Sequence, residues 1–125
     1  MNVAVGIGCR KNCPADAIEA LARQALGYIA DAAPLGIFTL ADKGGELGLV
    51  DAAGRLGLEI VCLTREALNA RADEAQTRSP LAESLFGVPS VAEAAALAGA
   101  GPASVLIVRR IAANGATCAI AGAAP

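Results

Sequence analysis

Apolar residues along this chain recur at two spacings, and the alternation of those spacings predicts strands and helices in turn. Short runs rich in Val, Ile and Leu are typical of strands buried in a sheet. The predicted strands are Val3–Ile7, Leu35–Leu40, Leu58–Leu63, Ser104–Val108 and Ala116–Ala121. Between them, apolar residues three and four apart predict helices with one buried face. The predicted helices are Pro14–Tyr28, Leu47–Leu56, a short helix from Thr64 to Leu68, Ser79–Phe86 and Ser90–Ala98.

Local signals refine this outline. Ser90 and Glu93 match a capping box, and Asn114–Gly115 is a hairpin signal. Residues 70–79 lack an apolar period and are predicted to be a mobile surface loop and the lid of a site, while Gly87–Pro89 is predicted to be a turn. The buried stripe of the second helix is assigned to Leu47, Val50, Ala53 and Leu56.

The order of elements predicts an α/β fold. Alternating strands and helices favour a three-layer α/β/α sandwich around an about five-stranded, mostly parallel sheet. The hairpin predicts that the last strand is antiparallel. With 125 residues, the chain is expected to form a single domain over residues 1–125.

Composition narrows the classes of function. The net charge of -2 gives no general electrostatic reason to bind nucleic acid or a membrane surface. No apolar run reaches the length of a membrane span, and the first strand begins so early that no signal peptide is expected, so we expect a cytoplasmic protein with reduced cysteines. The chain has no histidine, which excludes a Ser-His-Asp triad and His-based zinc sites. We expect no metal and no cofactor.

The first strand leads into a turn with the chemistry of an anion site. Gly6 and Gly8 allow a sharp turn and a close approach, and Pro14 suits the first position of a helix. Arg10 and Lys11 are therefore expected at the carboxyl end of a strand, beside the amino terminus of a helix, where open α/β sheets bind ligands. The alternative is that both side chains are merely solvated.

The cysteines divide into two groups. Cys9 lies next to a cation and a helix amino terminus, which predicts a lowered pKa and a nucleophilic thiol, or else Cys9 is a small residue that fills a tight turn. Cys13 could pair with it only under oxidation. Cys62 and Cys118 lie in apolar strands and are expected in the core.

Other polar residues are expected at the same edge of the sheet. Lys43 and Glu46 follow the second strand and could bind a ligand, form an ion pair with each other or, for Glu46, favour the start of the next helix. Arg109–Arg110 is either part of the site or a pair of charges that guards the hairpin. Thr117 is either a ligand-binding residue or an ordinary strand residue. Glu93 is either a site residue or simply the second residue of the capping box.

Four motifs in order resemble the small cobalamin-biosynthesis family that comprises CobE and the carboxyl-terminal domain of CbiG. They are Gly6-x-Gly-Cys-Arg-Lys11, Thr39 with Lys43-x-x-Glu-x-Gly-Leu49, Gly87-Val-Pro-Ser-Val-Ala-Glu-Ala-Ala-Ala-Leu97, and Thr117-x-Ala-Ile-Ala121. The resemblance implies a role in building the corrin ring of vitamin B12. It covers nearly the whole chain, and because there is no room for the extra amino-terminal region of CbiG, the free-standing CobE form is expected.

The resemblance also implies a site and a ligand. The expected function is to bind a precorrin or cobalt-precorrin intermediate by its carboxylates, as a carrier, chaperone or accessory factor. Two alternatives are a lactone hydrolase acting on cobalt-precorrin-5A, with Glu46 as general base, and a module that docks onto another corrin-pathway enzyme. Gly45 stands where the family has an acid, which weighs against the hydrolase. The implied site residues are Gly8, Cys9, Arg10, Lys11, Thr39, Lys43, Glu46, Ser90, Glu93 and Thr117.

Overall fold

A computed structural model describes residues 1–87 and 89–124. The strands are β1 (Asn2–Cys9), β2 (Ala33–Leu40), β3 (Ile60–Leu63), β4 (Ser104–Ala113) and β5 (Ala116–Ala123). The helices are α1 (Ala15–Gly27), α2 (Leu47–Leu56), α3 (Arg65–Asn69), α4 (Pro80–Phe86) and α5 (Val91–Ala100). Single turns of 3-10 helix lie at Ala41–Lys43 and Ala72–Glu74. The turn predicted at Gly87–Pro89 includes Val88, which lies outside the described residues.

One five-stranded sheet, in the order β3-β2-β1-β5-β4, forms the middle layer. β1, β2 and β3 pair in parallel, and β5 is antiparallel to both of its neighbours, β1 and β4. The predicted mostly parallel sheet with an antiparallel last strand is confirmed. The hairpin is also confirmed, because Asn114 and Gly115 have φ angles of 53° and 86°, the positive values that a two-residue turn of this kind requires.

Helices cover both faces of the sheet. On one face, Ile18 of α1 and Leu49 of α2 pack in one cluster with Val5 of β1. On the other face, Ala95 of α5 packs in a cluster with Ala4 of β1. Because neighbouring residues of a strand point to opposite faces, β1 contributes to both cores and must be apolar throughout.

The buried face of α2 differs from the predicted stripe. Leu47 and Val50 are 79% and 46% exposed, whereas Leu49, Ala52 and Ala53 are buried. The helix has apolar residues around most of its circumference, so spacing alone does not determine which face packs against α1.

Two further predictions about strands are wrong. β4 continues to Ala113, so Arg109 and Arg110 lie inside the strand and not at its end, at an irregularity between Val108 and Ile111. Cys62 is exposed, because β3 is an edge strand of the sheet.

The segment predicted to be a mobile lid is anchored. The Arg71 guanidinium donates hydrogen bonds to the carbonyl oxygens of Leu97, Gly101 and Ser104, at 3.0, 2.7 and 2.7 Å. Further along, the backbone of Thr77 is also held by a side chain of α5, as described below. Residues 70–79 are therefore held in place by charged side chains, and such contacts leave no apolar pattern in the sequence.

Within the described residues, no single helix is long and apolar enough to cross a membrane, and the bent pair of α4 and α5 meets such a test only by combined length and composition.

Candidate functional site

A groove with a volume of about 650 Å³ lies at the edge of the sheet where β1 and β4 end and β5 begins. Ligand pockets commonly have volumes of this size. The lining residues are Gly8, Cys9, Arg10, Lys11, Lys43, Ser79, Leu81, Ala82, Leu85, Phe86, Ser90, Val91, Arg110, Ala112, Ala113, Asn114, Gly115, Ala116 and Thr117. The sheet edge at which the sequence predicts the polar site residues, where the parallel strands end, therefore contains a groove.

Pairing between β1 and β5 builds one end of the groove. Cys9 pairs with Ala116, and the amide of Arg10 donates to the Gly115 carbonyl oxygen at 2.8 Å. Thr117 lies opposite Gly8, and its hydroxyl donates to the Gly8 carbonyl oxygen at 3.3 Å. These contacts fix where the turn after β1 leaves the sheet.

Among the described residues, four cations and no acidic residue line the groove. Arg10 and Lys11 follow β1, Lys43 follows β2, and Arg110 lies on β4. In the described part of the chain, none of the four is in an ion pair; the paired cations are Arg23, Arg55, Arg65, Arg71 and Arg78. Unneutralised cations in one concavity attract an anionic ligand, although the whole chain is slightly acidic.

The opposite wall is an apolar surface presented by α4. Leu81 and Leu85 are 65% and 54% exposed and face the groove with Ala82 and Phe86. The side chain of Ser79 caps α4 by accepting a hydrogen bond from the Ala82 amide, at the position where the sequence predicts that the helix starts. The groove thus combines positive charge with an apolar wall.

Glu93 lies behind the groove and does not line it. Its side chain is completely buried, and its two carboxylate oxygens accept four hydrogen bonds. Oε1 accepts from the amides of Gln76 and Thr77, at 2.9 and 2.7 Å, and Oε2 accepts from the Thr77 hydroxyl and the Arg110 amide, at 3.1 and 3.0 Å. The capping box is half confirmed, because the Ser90 hydroxyl accepts from the Glu93 amide while the carboxylate points elsewhere.

Other predicted site residues lie outside the groove. The Thr39 hydroxyl is buried and donates to the Ile7 carbonyl oxygen at 2.8 Å, inside the sheet. Glu46 lines a neighbouring cleft, where its Oε2 accepts from the Asn12 amide at 3.0 Å. α1 begins at Ala15, so Pro14 precedes the helix and does not occupy its first position as predicted. Pro14 and Ala15 line the same second cleft, so the amino terminus of α1 is not part of the groove, contrary to the expectation from the sequence.

Cys9 lines the groove, but its thiol is not activated. The pKa of Cys9 is raised to about 11, chiefly by burial and also by the nearby Cys13, while Lys43 opposes the rise. The predicted lowered pKa is therefore wrong, because desolvation outweighs the local cation. Cys13 is buried, and its thiol faces the Asn114 carbonyl oxygen at 3.6 Å.

Seven of the site residues predicted from the sequence line the groove, and none of the α4 side chains that form its apolar wall was predicted. The candidates that line it are Gly8, Cys9, Arg10, Lys11, Lys43, Ser90 and Thr117. For Arg110 the sequence leaves two alternatives open. The sequence signal for the wall of α4 is the pair Leu81 and Leu85, four residues apart in a seven-residue helix, and both side chains are exposed in the structure. The described residues contain no group of three His, Cys, Asp or Glu side chains that could hold a metal ion.

Known proteins with similar sequences and structures come from cobalamin biosynthesis. The family model described as cobalamin synthesis G C-terminus matches residues 3–121. Protein CobE of Sinorhizobium sp is 34% identical over 123 residues, which cover 96% of this chain and 79% of CobE. A crystal structure of CobE, a protein from the cobalamin (vitamin B12) biosynthetic pathway, matches with a TM-score of 0.87 and 30% identity, over 95% of this chain and 88% of that one. The crystal structure of cobalamin biosynthesis protein chiG from Agrobacterium tumefaciens strain C58 matches with a TM-score of 0.75 and 33% identity, over 98% and 99% of the two chains.

Proposed function

This chain belongs to the cobalamin synthesis G C-terminus family as a CobE-like cobalamin biosynthesis protein, and we propose that its groove binds a precorrin-type tetrapyrrole by the carboxylates of that ligand. Such a macrocycle is flat and apolar in the middle and has acetate and propionate groups around its rim. It would lie against the wall of α4 with its carboxylates directed at the cations.

The distribution of charge is the observation that supports this proposal most. Arg10, Lys11, Lys43 and Arg110 line one groove without an acidic neighbour in its lining. An arginine can bind a carboxylate with two parallel hydrogen bonds, and a lysine acts as a point charge. A ligand with several separated carboxylates can engage these cations together, whereas a ligand with one carboxylate cannot.

The groove favours binding over hydrolysis. The lactone hydrolase alternative needs a general base within hydrogen-bond reach of the attacking water. Glu46 lies in the second cleft with an oxygen already bonded to the Asn12 amide, and the raised pKa of Cys9 leaves little thiolate near neutral pH. We therefore propose a carrier or accessory role, with other enzymes of the pathway as its partners.

Calorimetric titration with two stable corrins tests the proposal. Cobyrinic acid has free acetate and propionate groups, and in cobinamide the corresponding groups are amides. We expect cobyrinic acid to bind, more weakly as salt rises, and cobinamide to bind at least about tenfold more weakly, because screening and loss of charge both remove the same attraction. Chromatography of the recovered cobyrinic acid should show it unchanged.

Two adjacent arginines provide a matched pair of variants. Arg110 lines the groove, whereas Arg109 is exposed and does not. A charged contact in an open groove is worth about 1–1.5 kcal/mol, between the values for exposed ion pairs and for hydrogen bonds to charged groups. Arg110→Gln should therefore weaken the binding of cobyrinic acid about tenfold and Arg109→Gln less than about twofold. Equal effects of the two variants, or equal affinity for the two corrins, would contradict the proposal.

A further inference from the structure

We propose that Glu93 is the positioning residue of the groove, and that its buried carboxylate holds Arg110 on one side and the segment before α4 on the other. The inference concerns how the groove is built, and its consequence for a ligand rests on the function proposed above. Glu93 would touch no ligand itself, since it is fully buried and is absent from the lining.

The contact with Arg110 occurs where β4 is irregular. The register of β4 against β5 shifts between Val108 and Ile111, which leaves Arg110 without a regular ladder partner. Its amide donates to Glu93 Oε2 at 3.0 Å instead. The carboxylate thus fixes the backbone at the point from which the Arg110 side chain enters the groove.

The contact with residues 76 and 77 acts on the opposite wall. α4 has no fully buried side chain, so its own packing attaches it only weakly to the domain. Its leading segment is held by Glu93 through the Gln76 and Thr77 amides, and by the bond from the Ser79 amide to the Pro89 carbonyl oxygen at 2.7 Å. One side chain therefore connects the cationic and the apolar sides of the groove.

A carboxylate suits this place and an amide does not. Four donors converge on its two oxygens, and a glutamine offers one acceptor oxygen and an NH₂ group. If its oxygen faces the two amides of Gln76 and Thr77, its NH₂ group faces the amide of Arg110, donor against donor. Glu93→Gln should therefore release Arg110 while it preserves the size of the side chain.

Amide hydrogen exchange without any ligand tests the positioning directly. In Glu93→Gln we expect exchange at the Arg110 amide to accelerate at least about tenfold. The Arg10 amide, which bonds to Gly115 in the same groove, should change less than about twofold. If Glu93→Gln does not fold, Thr77→Val removes one of the bonds to Oε2, and exchange at Arg110 should still accelerate. Unchanged exchange at Arg110 in a folded variant would overturn the inference.

A double-mutant cycle with cobyrinic acid then separates positioning from general destabilisation. If Glu93 acts through Arg110, Arg110→Gln should weaken binding about tenfold in the wild-type chain and less than about threefold in Glu93→Gln. Lys11→Gln should cost the same factor in both backgrounds, because Glu93 does not contact the turn after β1. A full tenfold effect of Arg110→Gln in the Glu93→Gln chain would overturn the link to binding. Failure of the wild-type chain to bind cobyrinic acid would refute the proposed function, and the exchange result would still decide the role of Glu93.

Discussion

Replacing Gly48 by alanine should destabilise the protein strongly, although the change adds one methyl group to the first turn of a helix. A Cβ atom at Gly48 would lie 1.9 Å from the Cys13 carbonyl oxygen and 3.1 Å from the Cys13 carbonyl carbon. Both obstacles are backbone atoms, so no side chain can rotate away. α2 would have to retreat from the turn after β1 by more than about 1 Å to reach ordinary contact distance.

The cost follows from what α2 buries. A retreat opens gaps around Leu49, Ala52 and Ala53, which are buried against the domain. Overpacking costs about 1–3 kcal/mol, and partial loss of contacts around a buried leucine adds to it. We expect Gly48→Ala to lower the free energy of unfolding by about 2–4 kcal/mol, which corresponds to a melting temperature lower by about 10 °C.

Gly54 in the same helix provides the control. A Cβ atom there meets nothing within 4 Å. Gly54→Ala should stabilise the protein by about 0.5–1 kcal/mol, because alanine loses less backbone entropy in a helix. Thermal and urea denaturation of both variants give the comparison. A Gly48→Ala variant as stable as the wild type would show that α2 does not approach the turn after β1 as closely as 1.9 Å from Cβ to the Cys13 carbonyl oxygen requires.

Three other predictions concern single side chains. Arg71→Met should lower the free energy of unfolding by about 2–4 kcal/mol in urea denaturation, because three carbonyl oxygens each lose the donor that Arg71 supplies. Arg78→Met, at an exposed ion pair, should change it by less than about 1 kcal/mol. Iodoacetamide at pH 8 should alkylate the exposed Cys62 well before Cys9, whose pKa is raised to about 11, and mass spectrometry of peptides would detect the opposite order. Because unfolding returns the pKa of Cys9 from about 11 to its usual 9.0, the free energy of unfolding should fall as pH rises through that window, and Cys9→Ala should reduce the fall.

The order and type of the elements could be predicted because local signals agreed with the final packing. β1 is apolar at every position that faces a core, and the Asn114–Gly115 pair adopts the turn that its residues favour. Two of the predicted helices begin at Thr64 and Ser79, and both side chains cap the helix that follows. The signal for each of these features lies in residues close in sequence, so a single sequence is enough to reveal it.

Features that depend on distant residues could not be predicted in the same way. Glu93 looks like half of a capping box, and only the folded chain brings Thr77 and Arg110 to its carboxylate. The buried face of α2 is set by the close approach of Gly48 to Cys13, which no periodicity records. The predicted shift in the pKa of Cys9 has the wrong direction for a similar reason. Burial in the folded chain raises this pKa by more than the neighbouring positive charge, which is visible in the sequence, lowers it.

The net charge of the whole chain does not describe the charge of the groove, where a ligand would bind. The chain has 12 acidic and 10 basic residues, yet the groove is lined by four of the basic residues and none of the acidic ones. Within the described residues, ion pairs elsewhere engage Arg23, Arg55, Arg65, Arg71 and Arg78 with acidic partners, so five of the six Lys and Arg side chains outside the groove are neutralised. A low net charge gives the chain no general attraction for polyanions, whereas a local cluster of cations would attract a small polycarboxylate to the groove. On the proposal made above, discrimination between ligands would therefore come from the number and spacing of free carboxylates around an apolar ring, and amidation of those carboxylates would release the ligand.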